Sequence, residues 1–271
     1  MKDTIQVSLI QFAPESGARD ENVGRLVALV EQEAQAGADL VLFPELAAVG
    51  PLAGIEDPSA VAEPIPGPTT DALAAVARAR GVHVLVGVLE SGEGDALHSS
   101  AALIDPGGDV AVYRRLHLLP DERSVLTAGD EVGVFPTGLG TIAVSLSYDV
   151  SFPELSRVQA LDGAEILATL WAVEEPPERM ATDGVIVPCR SRATENFVYV
   201  LGCNSAGTQE PRTSRSAIVS CNGEVIAEAK AGREEVVRGE ITDRAFREQR
   251  MYLTIFRDRR PELYGALIEG S

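Results

Sequence analysis

The chain repeats itself in order, and this restricts its fold more than any other feature. TIQVSL at Thr4 returns as TIAVSL at Thr141, and GADLVL at Gly37 returns as GAEILA at Gly163. VHVLVG at Val82 matches FVYVLG at Phe197, and GGDVA at Gly107 matches NGEVIA at Asn222. Four matches in the same order imply a duplicated strand-and-helix unit, because preserved order is hard to obtain by chance. Each unit predicts a sheet with helices on one face. Two such sheets stacked on each other bury both apolar faces and leave the helices outside.

The predicted elements follow from periodicity. Thr4 to Phe12 alternates as a strand. Glu21 to Gly37 is an amphipathic helix with Val23, Leu26, Val27, Val30 and Ala34 on one side. Ala38 to Pro44 is a buried-type strand that delivers Glu45 at its end, where α/β proteins place chemistry. Residues 46–70 read as a loop, Asp71 to Arg80 as a short helix, and Val82 to Leu89 and Ser99 to Asp105 as strands. Val110 to Leu119 is a further strand carrying Arg114, Arg115 and His117, and a polar loop containing Glu122 follows it. Thr141 to Ser147 is a half-buried strand, Pro153 to Leu161 a helix, and Ala164 to Trp171 a buried strand. Residues 174–183 form a charged loop, and Ile186 to Glu195 a helix. Strands Phe197 to Cys203, Ser216 to Ser220 and Val225 to Glu228 complete the pattern. The expected division is 1–243 as the main domain and 244–271 as an extension that packs at a subunit interface.

Ser147 stands where strand gives way to helix, in SLSYDVSFPE. A hydroxyl at such an elbow is exposed, and the following helix N-terminus favours developing negative charge, so it is a candidate nucleophile. The alternative is a serine chosen for turn chemistry.

Composition excludes some classes. The formal net charge of −18 repels phosphate, which argues against nucleic acid or an anionic membrane surface as a partner. Cys189, Cys203 and Cys221 contain no CxxC pair, so neither a disulfide framework nor a metal site is expected. No cofactor is indicated. The first residues lack a long apolar run, and the expected compartment is the cytoplasm.

Several motifs, in the correct order, resemble those of the nitrilase superfamily of carbon–nitrogen hydrolases. VLFPEL is similar to the family's glutamate motif, YRRLHL to its lysine motif, SLSYDVSFPE to its cysteine motif and RATENFVYVLGCNSAG to a later family segment. The resemblance implies a four-layer α-β-β-α sandwich, dimeric or of higher order, acting on a small amide-like or ester-like molecule. It also implies a Glu–Lys–Cys triad, which maps onto Glu45, Arg115 and Ser147, with Glu122 as the second carboxylate. Tyr148 would offer its backbone N–H to an oxyanion, and Trp171 would wall the pocket. His117 would fix local structure.

Two of the three triad positions therefore differ in kind. A hydroxyl needs an adjacent base where a thiol is already partly ionised. A guanidinium is planar, larger than an ammonium and does not give up its proton. Losing the thiol costs about 4 kcal/mol of transition-state stabilisation, roughly a thousandfold in rate. Nitrile hydrolysis is not expected, and ester hydrolysis is the least demanding reaction left. The sequence leaves three readings open: a weak or altered amidase or esterase using Ser147, an enzyme using Glu45, Glu122 and Arg115 without a covalent intermediate, or a catalytically silent homologue that binds a ligand or protein.

Overall fold

The computed structural model describes residues 1–172, 184–206, 215–252 and 254–268. The charged loop expected at 174–183 lies outside them.

The first half builds β1 (Thr4–Gln11), α1 (Arg19–Gln35), β2 (Leu40–Leu42), α2 (Pro68–Arg80), β3 (His83–Ser91), β4 (Leu97–Ile104) and β5 (Val110–Arg114). The second builds β6 (Val134–Thr137), β7 (Gly140–Leu146), α3 (Pro153–Leu161), β8 (Ile166–Trp171), α4 (Ile186–Asn196), β9 (Tyr199–Asn204), β10 (Ala217–Val219) and β11 (Val225–Glu228). β12 (Glu235–Thr242) then leads into α5 (Asp243–Tyr252) and α6 (Ile255–Asp258). The strands form two six-stranded sheets, ordered β12-β1-β2-β3-β4-β5 and β11-β10-β9-β8-β7-β6.

The layering follows from which side chains each strand turns inward. Ile5, Val7 and Leu9 of β1 and Leu40 and Leu42 of β2 join Ile142, Val144 and Leu146 of β7 in one core between the sheets. The alternate residues Ile10, Val41 and Phe43 pack with Leu26 and Val30 of α1 and with Leu73 of α2. α3 and α4 pack against each other on the outer face of the second sheet. The result is an α-β-β-α sandwich.

Several expectations change. β7 is buried on both faces from Ile142 to Leu146, because helices cover the side that a half-buried strand would leave to solvent. β5 stops at Arg114, so Arg115 and His117 leave the strand. The stretch at 46–70 contains 3-10 turns at Leu52–Gly54 and Pro58–Ala60. β6 and β12 had no counterpart in the periodicity reading. β12 is the larger omission: it crosses to the first sheet and pairs antiparallel with β1 along its whole length, from Thr4↔Thr242 to Gln11↔Glu235. Beyond it, Phe246 is buried and the Arg250 guanidinium lies over the rings of Phe246 and Phe256. Arg157 of α3 also covers Phe256.

Candidate active site

Glu45 sits three residues past the end of β2, in a turn tightened by a close approach of β3. The Gly87 N–H donates to the Pro44 carbonyl at 3.1 Å. A Cβ on Gly87 would lie 2.4 Å from Glu45 Cα and 2.5 Å from Leu46 N, so only glycine admits this contact. Leu46 is then held at φ 55. The turn buries the Glu45 side chain almost completely.

Ser147 opens a 3-10 turn, Ser147–Ser151, with φ 37, and Pro153 starts α3 directly after it. Three non-glycine residues have positive φ among the described residues, and two of them, Leu46 and Ser147, flank this site. Such backbone costs about 1–3 kcal/mol per residue and persists only where surrounding contacts enforce it. Buried Asp149 supplies the enforcement. Its carboxylate accepts from the Leu146 N–H at 3.1 Å, the Tyr113 hydroxyl at 2.7 Å and the His117 N–H at 2.9 Å, and pairs with His117 Nδ1 at 2.8 Å. The His117 ring stacks on Phe152 with centroids 3.6 Å apart. Asp149 therefore ties the segment after β5 to the elbow after β7, and so joins the two sheets at the site.

Arg115 is only 4 % exposed. Its backbone N–H donates to the Ser99 carbonyl at 2.9 Å, Nη1 donates to Glu45 Oε1 at 2.9 Å, and Nη2 is paired with Glu122. Glu122 also accepts the Leu119 N–H at 2.7 Å, which fixes the turn after β5. Burial pushes the guanidinium toward neutrality, but the Glu45 and Glu122 carboxylates more than offset it and Arg115 titrates above its ordinary range.

Three side chains meet at the Glu45 carboxylate. Oε1 accepts from Arg115 and from the Ser99 hydroxyl, and Oε2 accepts from the Ser147 hydroxyl. The Ala172 N–H at the end of β8 donates to Ser147 Oγ at 3.3 Å. The expected residues Glu45, Arg115, Ser147 and Glu122 are thus in one cluster. Tyr148 is half-buried beside Ser147, its ring steeply inclined to that of Phe152 with centroids 5.1 Å apart. Trp171 is 3 % exposed. It shares a strand face with Leu167 and Thr169, opposite Leu170, so its side chain turns toward the helix layer.

Two further polar side chains, Cys203 and His98, have structural partners. Cys203 Sγ donates to the carbonyls of Ile10 and Leu42 in the other sheet, both at 3.4 Å, and burial pushes its thiol far up. His98 Nδ1 contacts the Thr127 carbonyl at 2.8 Å. Sequence reasoning passed over Ser99 and Gly87. A glycine inside the apolar run VHVLVGVLE was a legible sign of a close backbone approach. Ser99 carries no such sign, because its hydroxyl meets Glu45 only when β4 folds beside the Glu45 turn.

The family model for carbon-nitrogen hydrolases matches residues 6–250. A "Nitrilase" of Pyrococcus abyssi is 32% identical over 269 residues, covering 96% of this chain and 99% of that one. The chain belongs to the carbon–nitrogen hydrolase family. The "Omega-amidase NIT2" of Xenopus tropicalis is 31% identical over 275 residues, covering 96% of both proteins. The crystal structure of a carbon-nitrogen hydrolase from Helicobacter pylori superposes with a TM-score of 0.87, covering 99% of each chain at 24% identity. In this member of the family, positions from three separate motifs converge on the Glu45 carboxylate.

Proposed function

We propose that this carbon–nitrogen hydrolase cleaves amide or ester bonds of small molecules with Ser147 as nucleophile. The hydrogen bond from Ser147 Oγ to Glu45 Oε2, at an elbow held in left-handed backbone, is the observation that carries the reading. A hydroxyl attacks only with a base at hydrogen-bond distance, and Glu45 stands there. Ser147 Oγ adds to the acyl carbon while its proton passes to Glu45. Arg115 and the Tyr148 backbone N–H stabilise the tetrahedral oxyanion. The C–N or C–O bond then breaks as Glu45 returns the proton to the leaving amine or alcohol. Water, deprotonated by Glu45, releases the acid from the acyl-serine and restores the hydroxyl. Glu122 holds Arg115 in place.

The test is turnover of p-nitrophenyl esters and simple primary amides, with mass spectrometry for an acyl group on Ser147. Loss of both turnover and adduct in Ser147→Ala supports the reading, and unchanged turnover in that variant removes it. A second reading, a catalytically silent homologue that binds a ligand or protein, is favoured by one observation: Arg115 is already engaged by two carboxylates. Binding of carboxylic-acid ligands by Ser147→Ala and wild type alike, with no turnover by either, would support it.

A further inference from the structure

Ser99 touches both the proposed base and the segment that carries Arg115. Its hydroxyl donates to Glu45 Oε1, and its carbonyl accepts the Arg115 N–H at 2.9 Å. It is 1 % exposed, on β4, on the far side of the carboxylate from Ser147 in hydrogen-bond terms: one hydroxyl binds each oxygen. With Ser99 and Arg115 on Oε1, the lone pairs of Oε2 are left to Ser147. A carboxylate held by a single donor rotates about its terminal torsion, which is broad. Two donors on one oxygen fix that torsion and aim the other.

We propose that Ser99 is a positioning residue of the active site, setting the orientation in which Glu45 receives the proton of residue 147. The proposal rests on the hydrolase reading for its kinetic consequence, but its geometry can be tested without turnover. Removing the hydroxyl leaves the Glu45 carboxylate with one donor fewer for its charged form. Ser99→Ala is then expected to lower kcat about tenfold with KM unchanged and to move the acidic limb of the pH–rate profile upward. Ser99→Thr, which keeps the donor, restores both.

A second arm places a thiol at the same position. In Ser147→Cys, iodoacetamide reports on residue 147 alone, because Cys189, Cys203 and Cys221 are at most 2 % exposed and burial raises all three thiols to about 12 or beyond. Adding Ser99→Ala should change the pH dependence of alkylation, and adding Ser99→Thr should leave it as in the single variant. If wild type turns over nothing but this shift appears, Ser99 keeps its role and the hydrolase reading falls. If Ser99→Ala leaves the alkylation profile unchanged, or if alanine and threonine alter it equally, the positioning role is overturned, whatever the wild-type activity.

Discussion

At the scale of single residues, the site is a balance of charge. One guanidinium lies between Glu45 and Glu122, and two hydroxyls complete the Glu45 carboxylate. Changing Ser147 to Cys supplies a more reactive atom, and changing Arg115 to Lys supplies a compact ammonium. The double variant should hydrolyse amides at least tenfold faster than wild type, as initial rates of ammonia release would show. Tyr113 offers a separate check on the elbow. Its hydroxyl is one of four donors to a fully buried Asp149, and both burial and that carboxylate push it far above the ordinary tyrosine range. Tyr113→Phe should destabilise the fold by about 1–3 kcal/mol, read from urea midpoints, because it leaves a buried carboxylate short of a partner.

At the scale of elements, two contacts matter, one at the site and one that fastens the last strand. The first is the crossing of β3 under the Glu45 turn. Gly87→Ala forces a methyl to within 2.5 Å of backbone at Pro44 and Leu46, so the turn must move. Activity should fall more than stability does, a difference that thermal melts run beside assays would reveal. The second is the latch on β12. Arg238 clasps the fully buried Glu33 of α1 through two hydrogen bonds of 2.6 and 2.7 Å, and Ser8 of β1 adds a third. Burial raises the Glu33 carboxyl, yet the Arg238 and Ser8 bonds outweigh it and the net shift is downward. Arg238→Ala leaves that charge with weaker company and should cost about 2 kcal/mol, discounted because Arg238 is half exposed.

At the scale of the whole molecule, acidity governs behaviour. Glu33 and Glu90 both titrate below their ordinary 4.5: burial raises Glu90 too, and Arg114 and Ser100 more than compensate. A carboxyl lowered in the folded state contributes stability that is complete above its unfolded value and is lost as pH falls through its folded one. Urea midpoints should therefore hold from neutral pH to about 5 and decline below about 4. With a formal charge of −18 spread over one sandwich, self-repulsion opposes compaction. The melting temperature should rise as NaCl is raised to about 1 M, where the Debye length shortens to about 3 Å. Exposed Val158, Leu161 and Val187 on α3 and α4, with Leu267 and Ile268 in the tail, support a homodimer as an expectation that light scattering can check.

Duplication, most of the strands of each half and the membership in one family were legible in the chain, because apolar period and turn chemistry act over a few residues. Glu45, Arg115 and Ser147 were legible as positions within recognisable motifs. Ser99 was not, since its importance lies in an oxygen it meets 54 positions away. Nor was β12, whose alternation is blurred by Arg238 and Glu240 and whose partner is the opposite end of the sequence. Burial of β7 on both faces likewise depends on helices supplied by other segments. Local pattern specifies which elements form and roughly where they face. Which oxygen each hydroxyl meets, and which sheet receives the last strand, depend on packing between segments distant in sequence, and only the tertiary structure decides them.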